Sequence, residues 1–398
     1  MSTPSQSLRL RPEVEHMPPS GIREFFDLTL GMEGVVTLGV GEPDFATPWK
    51  ICDAVVDSLR RGQTSYTSNY GLMELREAIA EDLGMRWGVD YDPATELIVT
   101  MGVSEAMDVA MRALLSPGDE VVVPEPCYVS YKACVSMAGG NPVVVPCTVE
   151  HDFRPQVEDL EAAITPRTRG LIIGYPNNPT GTVMSREDLL QIARLAEEHD
   201  LFVVSDEIYA HLTYDGEHTC FASLPGMRER TILMNGFSKA YAMTGWRIGF
   251  TAAPGQLIEG MVRIHAYTAL SAPISGQIGA IEALQHCERE MHEMVRDYDQ
   301  RRRVFIKGLN DIGLPCFEAR GAFYAFPSIA HTGLTSKQFS KALLYDEKVA
   351  AVPGTAFGDC GEGYLRCTYA QSMDNLKEAL VRMERFLAKL KAGKVQVE

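Results

Sequence analysis

Seven short apolar runs recur along the middle of this chain, and helical patterns separate several of them. The runs lie at 96–100 (ELIVT), 120–123, 142–145, 170–174 (GLIIG), 201–205 (LFVVS), 231–234 and 247–252. Helical periodicity falls at 104–115, 129–138, 185–200 and 256–287. A strand with one face in water alternates apolar and polar residues, whereas a continuous apolar run is covered on both faces. Continuous strands separated by helices therefore predict a parallel sheet between two helical layers, an α/β fold. Turn chemistry agrees, with Ser116-Pro117-Gly118-Asp119 and Asn178-Pro179-Thr180-Gly181 between runs.

After position 291 the texture changes. A charged helix at 291–310 precedes Gly321-Ala322-Phe323-Tyr324, which reads as a strand. A helix near 336–345, two short strands and a terminal helix from 373 to 392 follow. Residues 1–45 are too few to fold alone and are expected to join this second unit. The expected division is a large domain over 46–290 and a smaller, discontinuous α+β domain from 1–45 and 291–398. A length of 398 residues suits that reading.

Composition excludes more than it names. Apolar residues at 45% and charged residues at 23% are ordinary for a globular chain. Thirty-seven Lys and Arg against 53 Asp and Glu leave a net charge of −16. That argues against nucleic acid or an anionic membrane as partner, because either needs a basic face. The nine cysteines are scattered, with no CxxC and no zinc-ligand spacing, so no metal is expected and the thiols read as reduced. Residues 1–19 are polar and lack the apolar core of a signal peptide. The expectation is a soluble, cytoplasmic protein.

Chemistry concentrates where apolar runs end. Lys239, in Gly236-Phe237-Ser238-Lys239, follows a buried strand and has small neighbours in place of solvating charges. A lysine desolvated there has a lowered pKa and can form a Schiff base. Asp206 directly follows the LFVV strand, at the end where open α/β sheets place functional side chains, and Tyr209 lies three residues on. Asn178 sits in Tyr175-Pro176-Asn177-Asn178-Pro179-Thr180-Gly181, which alone reads as a turn. Gly102-Val103-Ser104 opens a helix, where backbone N–H groups suit an anion.

Together the GFSKAYAMTGWRIG segment, SDEIY, NNPTG, GEPDF at 41–45 and Tyr364-Leu365-Arg366 resemble a fold-type I aminotransferase dependent on pyridoxal phosphate. Within that group the chain is similar to the class I/II aspartate, aromatic and N-acetyl-diaminopimelate aminotransferases. The resemblance implies a mostly parallel seven-stranded sheet in the large domain and a ping-pong exchange between an L-amino acid and a 2-oxo acid. Glutamate/2-oxoglutarate is the expected common pair, with aspartate or an aromatic amino acid as the other donor and N-acetyl-diaminopimelate or another biosynthetic amino acid as the alternative. It implies that Lys239 carries the cofactor and then moves the proton, while Asp206 pairs with the pyridine nitrogen. Tyr209 and Asn178 hold the phenolic oxygen, and Tyr128 stacks on the ring. Arg247, with the amides of Val103 and Ser104, holds the phosphate. Arg366 binds the substrate α-carboxylate, and Gly41 lets backbone approach it. Tyr66 matches a tyrosine that reaches the cofactor of a neighbouring subunit, which implies a homodimer with shared sites. Ile22 and Arg23, in Ser20-Gly21-Ile22-Arg23-Glu24-Phe25-Phe26, fall in a segment that covers the site.

Two departures from the family pattern stand out. Gly236 occupies a position that often carries a Ser or Thr donating to the phosphate, leaving Ser238 as its replacement. Tyr267 stands roughly where dicarboxylate specialists of one subgroup place an arginine from the partner subunit. A neutral aromatic cannot neutralise a distal carboxylate, so strict aspartate specificity by that route is not expected. Two rivals share the scaffold. A β-eliminating carbon–sulfur lyase uses the same lysine, aspartate and arginine. A transcription regulator needs an N-terminal winged-helix module, for which the residues before the family pattern are too few.

Overall fold

The structure is a computed structural model that describes residues 10–396 apart from 16 and 18–20; most of the polar stretch 1–19 lies outside the described residues. Twelve strands occur among them: β1 (Val36–Thr37), β2 (Leu97–Thr100), β3 (Glu120–Glu125), β4 (Asn141–Pro146), β5 (Thr168–Gly174), β6 (Phe202–Asp206), β7 (Thr231–Gly236), β8 (Gly249–Ala252), β9 (Tyr324–Ala325), β10 (Val349–Ala350), β11 (Val352–Pro353) and β12 (Leu365–Thr368). Seven form one sheet in the order β2-β8-β7-β6-β5-β3-β4. Only β8 runs against its neighbours β2 and β7; the other pairings are parallel.

The apolar runs fold this way because successive side chains feed opposite layers. Val121 and Val123 of β3, Ile172 of β5, Val204 of β6 and Ile232 of β7 join one core with the helices Val103–Leu114 and Gly255–Thr268. Val122, Leu171, Ile173 and Val203 point the other way, onto the helix Arg186–Glu198. All seven runs in the sequence become strands of this sheet. The last run starts two residues late, at Gly249, because Arg247 has φ of +53° and cannot lie in a strand.

Three expectations need correction. The pattern at 256–287 is two helices, Gly255–Thr268 and Ile274–His286, separated by Leu270 at φ +66° and by Pro273, which caps the second. The stretch 321–324 is strand only from Tyr324, since Ala322 adopts φ +55°. Three short strands, not two, lie between the helices Ser336–Glu347 and Met373–Lys391.

Outside the large sheet, β1 pairs in parallel with β10, and β11, β12 and β9 form an antiparallel sheet. Val36, Leu38, Phe305, Phe339, Leu365, Leu376 and Phe386 share one core, which also takes in Tyr209 and Ala242. No helix among the described residues is long and apolar enough to cross a membrane.

Candidate active site

The C-terminal ends of β5, β6 and β7 open on a cavity of about 550 Å³, which β12 and residues 39–42 close from the other side. Of the residues singled out in the sequence, Ile22, Arg23, Gly41, Val103, Ser104, Tyr128, Asn178, Asp206, Tyr209, Ser238, Lys239, Arg247 and Arg366 all line it. Tyr66 and Tyr267 do not; they are 83% and 95% exposed on the chain's surface.

Lys239 stands three residues beyond the end of β7, and its Nζ donates to the Gly41 carbonyl at 2.7 Å. Burial lowers its pKa to about 8, with Arg366 and Arg247 pushing the same way and Glu42 opposing. Asp206 ends β6 and is buried, which raises its pKa to about 6. Its Oδ2 accepts from the Tyr131 hydroxyl at 2.8 Å and its Oδ1 from the Ile208 N–H at 3.2 Å. No salt bridge to Asp206 is found among the described residues, so it is a buried acid with hydrogen bonds but no paired cation.

Arg366 lies in β12 and is 1% exposed. It donates to the Gly39 carbonyl at 2.6 Å and to Asn178 Oδ1 at 3.3 Å, while its Nε has no partner among the described residues. The guanidinium rests against the Tyr324 and Phe357 rings at 4.7 and 4.8 Å from their centroids. A buried cation with an unsatisfied donor and no carboxylate partner is a receptor for an anion. Arg247, on the opposite wall, donates to the Thr244 and Met101 carbonyls at 3.1 and 3.3 Å. Gly102 caps the helix Val103–Leu114 at φ +78°, and a Cβ there would lie 2.8 Å from Arg247 Nη2. Glycine thus brings the guanidinium and the helix-start amides together.

The departure at Gly236 has a physical cause. A Cβ at that position would lie 2.9 Å from both Gly249 Cα and the Ile248 carbonyl, because β7 and β8 pair Gly236 with Gly249. No hydroxyl fits there, whereas Ser238 is buried on the cavity wall.

The family model for aminotransferase class I and II matches residues 33–383. The chain belongs to this family. The aspartate aminotransferase of Pyrococcus abyssi is 48% identical over 94% of this chain and 97% of its own. Aromatic-amino-acid aminotransferase 2 of Thermococcus litoralis is 46% identical over 96% of this chain and all of its own length. The structure of Thermus thermophilus aspartate aminotransferase with maleate superposes with a TM-score of 0.91 at 40% identity, covering 95% of this chain and 100% of that one. The protein is a fold-type I amino-acid aminotransferase acting on amino and keto acids, and class I and II aminotransferases of this kind use pyridoxal 5′-phosphate.

Two cavity residues of this aminotransferase carry no signal in the reading of the motifs. Tyr131 contacts Asp206, and Tyr324 Oη lies 2.7 Å from Tyr209 Oη. No spacing flags either one, since Tyr128 precedes the helix that opens at Ser130 and Tyr324 meets a tyrosine far away in sequence.

Proposed function

We propose that the cavity around Lys239 holds pyridoxal phosphate and exchanges the amino group of aspartate or an aromatic L-amino acid with a 2-oxo acid such as 2-oxoglutarate. The names of the Pyrococcus and Thermococcus relatives support those donor classes. The observation that carries the reading is a convergence on one cavity. A lysine with lowered pKa, a buried carboxylate without a paired cation and a buried arginine with an unpartnered Nε meet there. Their chemistry fits the cofactor.

Bound pyridoxal phosphate supplies an electron sink that makes an amino acid's Cα–H acidic. Arg247, the Val103 and Ser104 amides and the Ser238 hydroxyl hold its phosphate. Asp206 keeps the ring nitrogen protonated, Tyr209 and Asn178 hydrogen-bond the phenolic oxygen, and Tyr128 covers the ring face. Lys239 anchors the group and afterwards accepts the Cα proton at Nζ. A pKa of about 8 leaves part of its amine uncharged near neutrality.

Arg366 grips the α-carboxylate of both substrates, and Gly41 keeps the adjacent backbone close. One fixed clamp with an adaptable distal end suits an enzyme that must bind two side chains. Ile22 and Arg23 border that end and exclude water. Tyr66 reaches the phosphate in a second copy of the chain, and Tyr267 its distal pocket, so the active form is a homodimer. Residues 46–290 form the cofactor-binding domain, and 1–45 with 291–398 the smaller one; the β1–β10 pairing supports that division. Nine free thiols and the acidic charge support a cytoplasmic location.

The test is a single half-reaction. The loaded enzyme is given aspartate, tyrosine, alanine or N-acetyl-diaminopimelate without an acceptor, and 2-oxo acid is counted. One equivalent per subunit with aspartate or tyrosine is expected. Reaction only with N-acetyl-diaminopimelate or alanine overturns the donor assignment, and continuous release of 2-oxo acid and thiol from a β-thio amino acid such as cystathionine, added as a fifth donor, marks a carbon–sulfur lyase. Lys239→Ala is expected to abolish the equivalent; full transamination by that variant sinks the site.

A further inference from the structure

Asp206 is gripped from a helix that the reading of the site gives no part. Tyr131 lies in the first turn of the helix Ser130–Met137, and its buried hydroxyl donates to Asp206 Oδ2 at 2.8 Å. The other oxygen of the carboxylate accepts from the Ile208 N–H. Each oxygen therefore has its own donor, and the carboxylate plane is fixed from two directions. Tyr131 makes no other side-chain hydrogen bond among the described residues.

The sheet makes room for this contact. Gly174, at the end of β5, is the register partner of Asp206 on β6. A Cβ on Gly174 would lie 2.2 Å from Tyr131 Oη. Its φ is not positive, so the backbone alone does not call for glycine there. What calls for it is the phenol, which passes over Gly174 to reach the neighbouring strand. Tyr131 also meets the edge of the Tyr128 ring, with centroids 5.9 Å apart.

We propose that Tyr131 is a positioning residue for amino-group transfer, holding the Asp206 carboxylate in the orientation that meets the cofactor's ring nitrogen. The proposal rests on the reading of the site given above. Its electrostatics follow from the groups around Asp206. Lys239 faces it from the segment after β7, and Tyr131 from the helix. Glu207, next along the chain, turns away to accept from Ser205 Oγ and the Phe221 N–H and to pair with His218. Burial and, less strongly, the charge of Glu207 raise the pKa of Asp206, while the Tyr131 and Ile208 hydrogen bonds and Lys239 lower it. Losing the phenol hydroxyl moves Asp206 further up, so less carboxylate is present at a given pH.

Tyr131→Phe keeps the ring and its packing and removes the donor. In the holoenzyme it is expected to weaken pyridoxal phosphate binding about tenfold or more, since a hydrogen bond to a charged group is lost. The acid limb of the pH–rate profile is expected to move up by about one unit, with kcat lowered for every donor and KM little changed. Gly174→Ala, which pushes the phenol away from outside, is expected to copy both effects. The double variant should lose little beyond Tyr131→Phe alone, because both changes break one contact. A Tyr131→Phe enzyme with unchanged cofactor affinity and acid limb overturns the proposal, even if its melting temperature falls, because the tyrosine then serves packing only. Asp206→Asn separates the two levels. If it keeps full cofactor affinity and kcat, the reading of the site fails and the proposal with it. If it is impaired while Tyr131→Phe is not, the proposal alone fails.

Discussion

The hydroxyls of Tyr324 and Tyr209 stand 2.7 Å apart at the floor of the cavity, and both side chains are buried. Tyr324 stacks against Arg366 on one side and occupies, on the other, the space that a side chain at Gly41 would need: a Cβ there would lie 2.5 Å from its oxygen. One phenol thus joins the tyrosine proposed for the cofactor's phenolic oxygen, the arginine proposed for the substrate and the loop whose carbonyl receives Lys239.

Removing that hydroxyl separates its two functions. Tyr324→Phe keeps the ring under Arg366, so KM for amino acids is expected to change less than about twofold. Tyr209 loses its partner, a hydrogen bond worth about 1 kcal/mol, and kcat is expected to fall about fivefold. Gly41→Ala should be far more damaging in the native background than in Tyr324→Phe, where the clashing oxygen is gone. Steady-state kinetics on the four proteins of this cycle check both statements.

Arg366 tests the carboxylate clamp. Arg366→Lys supplies a charge without the planar fork, so kcat/KM for every substrate is expected to drop at least about a hundredfold, the loss of roughly 3 kcal/mol of paired anion binding. Cofactor content, read from the bound chromophore, should stay at one per subunit because Arg366 is assigned to the substrate alone. Loss of cofactor together with activity would place Arg366 in the wrong role.

Much of this arrangement was legible in the chain. Asp206 and Lys239 announce themselves because a polar residue directly after a buried apolar strand has few places to go but the crevice at the sheet's end. The seven-strand sheet followed from runs too apolar to face water. Tyr131 and Tyr324 were not legible, because a tyrosine in an apolar context reads as packing until its hydroxyl is seen to have a partner. Tyr324 is 115 positions from Tyr209, and no local spacing encodes that contact. The break between the helices Gly255–Thr268 and Ile274–His286 was hidden by periodicity that continues on both sides, although Pro273 marked it. Tyr66 and Tyr267 lie exposed outside this chain's own cavity, so a single chain holds no contact that bears on the role proposed for them.

The raised pKa of Asp206 gives a stability prediction for the cofactor-free protein. The folded value is about 6, above the ordinary carboxylate value of 3.8. Between those pH values the folded state binds more protons than the unfolded state, so stability from this group is present below pH 3.8 and is lost as pH rises through 6. Asp206→Asn removes the buried charge while its amide oxygen can still accept from Tyr131. Its melting temperature is expected to exceed that of the native chain at pH 8, with the gap closing as pH falls from 6 towards 4. Pyridoxal phosphate should reverse the order at pH 8, since the ring nitrogen then gives the carboxylate its partner. Thermal melts of both proteins at three pH values, with and without cofactor, check the sign.

Gly236 separates resemblance from geometry. Adding the hydroxyl that the family pattern suggests at this position, by Gly236→Ser, looks like a way to add a phosphate contact. Here the added Cβ would lie 2.9 Å from Gly249 Cα and from the Ile248 carbonyl, and both are backbone that cannot rotate aside. Gly249 has no slack, because a Cβ on it would in turn lie 2.7 Å from the Val103 amide nitrogen. Any shift of β8 that relieves the clash therefore moves the helix start assigned to the phosphate. Gly236→Ser is expected to lower stability by about 1–3 kcal/mol, the usual cost of overpacking, and to weaken cofactor binding despite the extra hydroxyl. Ser238→Ala, which removes the donor that remains, should weaken cofactor binding without lowering the melting temperature of the cofactor-free protein. Tighter binding by Gly236→Ser, measured by cofactor titration, would show that β7 and β8 yield where these contacts say they cannot.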